Sequence, residues 1–166
     1  MKIGLLSDTH SYLDPALMSL YDDRDELWHA GDFGSMELIQ KLCQHKPVKG
    51  VFGNIDDQAI QRQYPLDLEW TIGTFRIYMT HIGGYPGKYN PRVRKNLITR
   101  PVDLFICGHS HILKVMKDPI LGHLHINPGA SGHEGFHILR TATRFIKDNK
   151  LINLEILELG PRGKIK

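Results

Sequence analysis

Seven residues along this sequence carry side chains that could together bind metal ions. They are Asp8, His10, Asp32, Asn54, His81, His109 and His111. Imidazole, carboxylate and amide ligands suit Mn²⁺, Fe²⁺, Ni²⁺ or Zn²⁺ better than Mg²⁺, which prefers oxygen ligands and water. The four histidines therefore argue against magnesium alone. Two such ions close together can activate a shared water and bind phosphoryl oxygens.

Two pairs of these residues have a spacing of two, namely Asp8-x-His10 and His109-x-His111. On an extended segment, residues two apart point to the same side of the chain. We therefore expect each pair to lie on an extended segment and to bind an ion from one edge.

Each candidate ligand comes at or just after the end of a short apolar segment that is typical of a strand. These segments span residues 3–6, 26–30, 48–52, 75–80 and 102–107. Helices are predicted between them, beginning at Asp14-Pro15, at Ser35 and at Pro91. This order indicates a sheet with helical crossovers, in which the carboxyl ends of neighbouring strands meet at one crevice.

The apolar segments after residue 66 come in pairs around turn residues. Residues 66–70 pair with 75–80, residues 114–117 with 123–127, and residues 144–147 with 151–157. Such pairs predict hairpins, so the second half is expected to be mostly antiparallel sheet.

Taken in order, the motifs resemble the calcineurin-like metallophosphoesterase superfamily, and their separations resemble its small single-domain phosphodiesterase branch. The motifs are Asp8-x-His10, Gly31-Asp32, Gly53-Asn54-x-Asp56, His81, Gly108-His109-Ser110-His111 and the turn Asn127-Pro128-Gly129. The resemblance covers residues 1–133. It implies an α/β fold, a two-sheet β-sandwich flanked by helices, with the site at the strand ends.

The resemblance also implies a role for each candidate ligand. Asp8, His10, Asp32 and His111 would bind one divalent metal ion, and Asp32, Asn54, His81 and His109 the other. Two divalent ions and two aspartates leave a charge of about +2, or about +1 with a bridging hydroxide, which attracts a phosphodiester monoanion. Our hypothesis is that this hydroxide attacks phosphorus in line. Asn54 would touch the substrate, and the imidazoles of His81 and His109 would help neutralise the developing charge.

The sequence departs from the family pattern at two places. Ile55 stands where many members have a histidine that protonates the leaving group, so we predict a preference for esters with good leaving groups. His81 is followed by Ile82-Gly83 instead of a second metal-binding histidine. The next segment, residues 85–95, alternates aromatic and basic residues, which suits either nucleotide recognition or an exposed loop without a ligand.

Six further histidines are expected mostly to pack or hydrogen-bond without a function of their own. They are His29, His45, His123, His125, His133 and His137. His29 fits either a hydrogen bond that supports the site or plain packing. His123 and His125 share a strand face without nearby carboxylates, which does not favour a third metal site. Asp56 fits either orientation of a ligand or completion of a turn with Asp57.

Composition indicates an ordinary globular protein, and residues 1–166 are predicted to form one domain. The chain has 41% hydrophobic residues and a net charge of +3. No run of 18 apolar residues occurs, and residues 3–6 are too short for a signal-peptide core, so we predict no membrane segment and a cytoplasmic location. Cys43 and Cys107 are predicted to be buried reduced thiols.

Three functions are compatible with these features. The leading hypothesis is a phosphodiesterase that acts on a phosphate-ester small molecule or a nucleotide. The alternative is a non-catalytic protein-interaction scaffold of the same fold, as in a retromer subunit with a degraded metal centre, but the intact ligands argue against it. Nucleic-acid binding is not indicated, because the basic residues Arg162, Lys164 and Lys166 are better explained as a solvated tail. The sequence predicts no oligomeric state.

Overall fold

The computed structural model of the chain describes residues 1–163. Strands and helices alternate in the first part, as β1 (Lys2–Leu6), α1 (Pro15–Leu20), β2 (Glu26–His29), α2 (Met36–His45), β3 (Val48–Gly50) and α3 (Gln58–Gln63). The second part contains β4 (Asp67–Ile72), β5 (Phe75–Thr80), β6 (Gly84–Tyr85), β7 (Lys88–Tyr89), α4 (Pro91–Thr99), β8 (Leu104–Ile106), β9 (Leu113–Lys117), β10 (Leu124–Pro128), β11 (Leu139–Lys147) and β12 (Leu151–Pro161).

Two five-stranded sheets pack face to face, with strand orders β12-β11-β1-β2-β3 and β4-β5-β8-β10-β9. Leu5 and Trp28 of the first sheet share one core with Ile77, Ile106 and Ile126 of the second. On the outer face of the first sheet, Leu17 and Leu42 of α1 and α2 pack against Leu6. On the outer face of the second, Val93 of α4 packs with Phe105. The predicted two-sheet sandwich flanked by helices is therefore confirmed.

Helix starts follow from side chains that satisfy free backbone N–H groups. The carboxylate of Asp14 accepts the N–H of Ala16, and the hydroxyl of Ser35 accepts the N–H of Leu38. These are the predicted starts of α1 and α2. Helix α3 is not among the predicted helices, and the sequence left open whether Asp56 completes a turn with Asp57. The carboxylate of Asp57 caps this helix by accepting the N–H of Ile60.

The prediction that the later part is mostly antiparallel is confirmed, except at the centre of the second sheet. The three hairpins are present as β4-β5, β9-β10 and β11-β12. At the centre of the second sheet, however, β8 lies parallel to both β5 and β10. The connection from β5 to β8 contains α4, and a helical crossover returns the chain in the same direction. The sequence pattern of paired segments does not contain this information.

One cysteine prediction is wrong. Cys107 is buried as expected, but Cys43 is exposed, and both are free thiols. The buried face of α2 consists of Leu38, Ile39 and Leu42. Cys43 lies at the edge of this face and turns outward. Among the described residues, no helix is long and apolar enough to cross a membrane.

Candidate metal centre

The seven candidate ligands lie at the carboxyl ends of strands from both sheets. Asp8 and His10 follow β1, Asp32 follows β2, Asn54 follows β3, His81 follows β5, and His109 and His111 follow β8. In the first sheet β1, β2 and β3 run parallel, and in the second β5 and β8 run parallel. Face-to-face packing therefore brings two sets of strand ends to one edge of the sandwich.

Asp8, His10, Asp32 and His111 form one compact group. One ligand atom from each residue can be chosen so that all four lie within 4.8 Å of one another. Asp8 Oδ1 is 3.1 Å from His111 Nε2, and His10 Nε2 is 3.6 Å from Asp32 Oδ2. Two carboxylates and two imidazoles at these distances surround a space that suits one divalent ion.

The remaining candidates lie next to this group, where His81 approaches the same carboxylate of Asp32. His81 Nε2 is 3.2 Å from Asp32 Oδ2 and 3.1 Å from Asn54 Oδ1. The rings of His81 and His109 have centroids 5.3 Å apart, and the backbone N–H of His109 donates to Asp8 Oδ2 over 3.2 Å. Asp32 thus contacts histidines of both groups.

Five of the seven candidates adopt left-handed backbone conformations, which corrects the expectation of extended segments. Asp8, His10, Asp32, His109 and His111 have φ values of 53°, 46°, 57°, 67° and 58°. Such conformations cost roughly 1–3 kcal/mol per residue outside glycine and occur mainly at functional sites. The paired ligands therefore converge because their loops are sharply turned, and not because alternate residues of a strand share a side.

Two buried ligand atoms lack a hydrogen-bond partner among the described residues. They are Asp8 Oδ1 and His10 Nε2. Buried polar atoms are nearly always hydrogen-bonded, and leaving one unbonded costs about 1–3 kcal/mol. A cation held between carboxylate and imidazole would satisfy both atoms, so the donor set fits a divalent metal ion.

A hydrogen bond fixes which nitrogen of His81 faces the site. Its Nδ1 lies 2.8 Å from the carbonyl oxygen of Ala30, which can only accept, so Nδ1 carries a proton. Nε2 then points towards Asp32. Burial alone would lower the pKa of His81, but the hydrogen bond to Asp32 and the charges of Asp8 and Asp32 raise it above its usual value. The two carboxylates thus favour a positive charge at Nε2, whether a proton or a metal ion.

The orientation of His111 depends on His137, to which the sequence analysis gave no function. His137 Nε2 lies 3.1 Å from the carbonyl oxygen of Gly132, so Nε2 is the donor. Its Nδ1, 3.3 Å from His111 Nδ1, must accept the proton of His111 if His137 is neutral. Burial lowers the pKa of His137, which favours that neutral form. The free lone pair of His111 is then on Nε2, facing Asp8.

His29 holds two ligand loops together, which decides between the two interpretations of its role. Its Nδ1 accepts the N–H of Gly31, and its Nε2 lies 2.9 Å from the hydroxyl of Thr9. Burial lowers its pKa to about 3, so the imidazole is neutral. Gly31 precedes Asp32, and Thr9 lies between Asp8 and His10. His29 therefore supports the site by hydrogen bonds.

Asp56 organises the neighbouring backbone. Its carboxylate accepts the N–H groups of Phe33, Gly34 and Gly53 over 2.8–3.2 Å. These bonds connect the loop after β2 to the loop after β3. Asp56 therefore orients the segments that carry Asp32 and Asn54, rather than contacting a ligand atom directly.

Close approach of the loops explains two glycines that precede candidate ligands. A Cβ atom on Gly53 would lie 2.0 Å from Asp32 Oδ1, and one on Gly108 would lie 2.1 Å from Ser7 Oγ. Side-chain atoms do not come this close, so any larger residue would displace the loops. The motifs Gly53-Asn54 and Gly108-His109 are therefore requirements of packing around the ligands.

The other residues considered from the sequence lie outside the cluster of candidate ligands. Residues 85–95 form part of β6, β7 and most of α4, and the ammonium group of Lys114 lies over the ring of Tyr85. His123 Nε2 contacts the hydroxyl of Tyr89 at 2.9 Å, and both ring nitrogens of the buried His125 lack a partner within the described part of the chain. His133 hydrogen-bonds the carbonyl oxygen of Arg162. Lys164 and Lys166, assigned to the basic tail, lie outside the described residues.

The chain is similar in sequence to known proteins. The model of the calcineurin-like phosphoesterase superfamily domain matches residues 1–147. A protein described as a probable metallophosphoesterase from Methanothermobacter thermautotrophicus is 29% identical over 137 residues, which cover 78% of this chain and 77% of the relative.

Solved structures share the fold at low sequence identity. A structure described as a novel archaeal phosphodiesterase has a TM-score of 0.71 and 20% identity, covering 95% of this chain and 99% of the other. Vps29 from Entamoeba histolytica in complex with zinc has a TM-score of 0.71 and 17% identity, covering 96% and 100%. These likenesses establish the same arrangement of sheets and helices.

Proposed function

Since this chain belongs to the calcineurin-like phosphoesterase superfamily, we propose that it is a phosphodiesterase that depends on two divalent metal ions. The observation that carries the proposal is the pair of buried, unbonded atoms, Asp8 Oδ1 and His10 Nε2, within a cluster of carboxylates and imidazoles. The archaeal phosphodiesterase that shares this fold supports the choice of a diester substrate.

The ligand sets in this proposal follow the two groups around Asp32. Asp8, His10, Asp32 and His111 would hold one ion, and Asp32, Asn54, His81 and His109 would hold the other. The imidazoles favour manganese, iron, nickel or zinc. When bound, two such ions would lower the pKa of a water and neutralise phosphoryl oxygens.

The chain itself contributes positioning and charge around the phosphate. Asn54 is exposed and its Oδ1 faces His81, so its amide N–H groups can donate to a substrate oxygen. His109 is likewise exposed at the rim. Asp32 and Asp8 are buried beneath them, which keeps the anionic residues away from the anionic substrate.

The test of the proposed function combines metal analysis with an activity assay. Purified protein should contain a transition metal and hydrolyse bis(4-nitrophenyl) phosphate, and removal of metal by a chelator should stop hydrolysis until Mn²⁺ or Zn²⁺ is restored. Protein that binds no metal, or whose hydrolysis is unaffected by the chelator, would refute the proposal. Absence of hydrolysis with metal bound would favour the non-catalytic scaffold.

The side chain at position 55 predicts a strong dependence on the leaving group. Ile55 is 45% exposed and its backbone N–H donates to Asp32 Oδ1, so its side chain lies near the centre but offers no proton. A general acid contributes roughly 10²–10⁴-fold. We expect methyl 4-nitrophenyl phosphate to react at least about 100-fold faster than methyl 4-nitrobenzyl phosphate, a substrate of similar size in which both possible leaving groups are alkoxides.

The variant Ile55→His should accelerate hydrolysis of the benzyl ester and so reduce the ratio of the rates on the two esters. The matched control is Ile55→Asn, whose side chain is polar but not acidic. Rates of both esters are measured at saturating metal. Equal rates on the two esters in the unmodified protein would contradict the prediction.

The contact between His111 and His137 predicts that metal affinity depends on a residue that is not itself a ligand. Loss of such a supporting hydrogen bond typically costs about 10–100-fold in metal affinity. We expect that loss for His137→Phe, whereas His137→Gln should retain most of the affinity because its side-chain oxygen can accept the same proton. Affinity is measured for Zn²⁺ by competition with a chromophoric chelator.

His133→Phe is the control for that measurement, since His133 belongs to the same loop but bonds Arg162 instead of a candidate ligand. Its affinity should equal that of the unmodified protein. Equal affinities of His137→Phe and the unmodified protein would show that His137 does not orient His111.

A further inference from the structure

A cavity of about 290 Å³ adjoins the candidate metal centre. Asn54 and His81 form its boundary with the centre, and Phe52, Leu66, Ile82 and Arg92 form its other walls. We call it the side cavity. A group attached to a phosphate in the metal centre would reach the side cavity directly, because the two spaces share Asn54 and His81.

Two apolar side chains in the walls of the side cavity are exposed. Leu66 is 47% exposed and Ile82 is 39% exposed, although both are large hydrophobic residues. Both residues lie outside the strands and helices, since Leu66 precedes β4 and Ile82 follows His81 in the loop after β5. Apolar walls beside a polar centre are typical of a pocket that binds the apolar part of a ligand.

Arg92 gives the side cavity a fixed guanidinium group. Its Nη1 forms an ion pair with the carboxylate of Asp67, and its Nη2 donates to Thr80 Oγ1 over 3.3 Å. Two contacts hold the guanidinium plane, whose faces can stack on an aromatic ring. An aliphatic group would gain from the apolar walls but not from this stacking.

We propose that the side cavity binds an aromatic ring carried by one ester oxygen of the phosphate. The inference rests on the proposed function and deepens it, because it names aryl or nucleoside phosphodiesters as the substrate class and disfavours simple alkyl diesters. Leu66 and Ile82 contact the ring in this proposal, and the guanidinium group of Arg92 stacks on one of its faces. The volume of about 290 Å³ is sufficient for an aromatic ring, since a cavity of about 150 Å³ can hold benzene.

Direct binding tests the proposal without relying on turnover. Isothermal titration calorimetry with Mn²⁺-loaded protein gives dissociation constants for inorganic phosphate, methyl phosphate, phenyl phosphate and adenosine 5′-monophosphate. We expect phenyl phosphate to bind about tenfold more tightly than methyl phosphate, the scale of discrimination that apolar pockets provide. The ligand whose affinity exceeds that of methyl phosphate by more, either phenyl phosphate or the nucleotide, identifies whether the ring is an aryl group or a nucleoside base.

Two variants assign the discrimination to the side cavity. Leu66→Ser and Ile82→Ser replace exposed side chains, so both proteins should fold, as checked by thermal unfolding. Each variant should reduce the ratio of the affinities for phenyl phosphate and methyl phosphate towards one. The affinity for inorganic phosphate should stay unchanged. Ile156→Ser on β12, where the isoleucine is 50% exposed, is the matched control and should preserve the ratio.

Equal binding of phenyl and methyl phosphate, or a ratio that survives both variants, would overturn the side cavity as a ring site while leaving the proposed function intact. Failure of inorganic phosphate itself to bind Mn²⁺-loaded protein would instead refute the proposed function, and the ring site with it. The two failures are therefore distinguished by the inorganic phosphate titration.

Discussion

Replacing Asp32 with alanine is expected to reduce diester hydrolysis by about a thousandfold or more, because the carboxylate lies between both proposed metal positions. Its Oδ2 is 3.2 Å from His81 Nε2 and 3.6 Å from His10 Nε2. Without it, each ion would lose a ligand, and the charge that holds the ions together would fall by half. We expect the metal content to fall below one ion per chain in the same variant.

The control for this prediction is another buried aspartate outside the site. Asp118 is 3% exposed and accepts hydrogen bonds from Tyr89 and from the backbone of its own turn. The Asp118→Asn variant should have the same metal content as the unmodified protein and an activity close to it. Activity is measured with bis(4-nitrophenyl) phosphate, and metal by mass spectrometry of dialysed protein. Undiminished turnover by Asp32→Ala would refute the role of Asp32.

The largest expected loss of stability comes from breaking the buried ion pair between Arg140 and Asp14. Their side chains are 2.6 Å apart, and each residue is 7% exposed. Arg140 also donates to the carbonyl oxygens of Leu159 and Pro161 in β12. Removing one partner of a buried pair leaves an uncompensated charge, so Arg140→Met should lower the free energy of unfolding by about 3–5 kcal/mol.

An exposed ion pair on the same strand is the control. Arg144 contacts Glu155 at 2.7 Å, and the side chain of Glu155 is 53% exposed. Glu155→Gln should cost less than about 1 kcal/mol, because water screens the charges. Both values are measured by urea unfolding. A cost for Arg140→Met no greater than that for Glu155→Gln would show that the buried pair does not stabilise the fold.

Local features of the sequence were sufficient for much of the architecture. The starts of α1, α2 and α4 depend on Asp14, Ser35 and Asn90-Pro91, whose capping contacts reach only two or three residues along the chain. The three hairpins likewise join neighbouring segments. Interactions of this range depend on residues that are close together in the sequence, so they can be predicted without coordinates.

Contacts between distant segments were predicted less well. The parallel centre of the second sheet arises from the crossover through α4, and the outward position of Cys43 from the rotation of α2 on its sheet. His137 is 26 residues from His111, a separation at which no spacing rule applies. Nor does the apolar character of Leu66 or Ile82 reveal that both border one cavity.

The sequence alone determined which chemistry is available, because the donor atoms of aspartate, asparagine and histidine are fixed by residue type and each follows a strand. Only the tertiary structure decided how these atoms meet. Five ligands adopt left-handed conformations that local preference opposes. The loops that carry them are held by hydrogen bonds between His29 and Thr9 and from the backbone N–H of Phe33 to the carboxylate of Asp56. Such strain persists only where many distant contacts act together, so it cannot be inferred from any short stretch of residues.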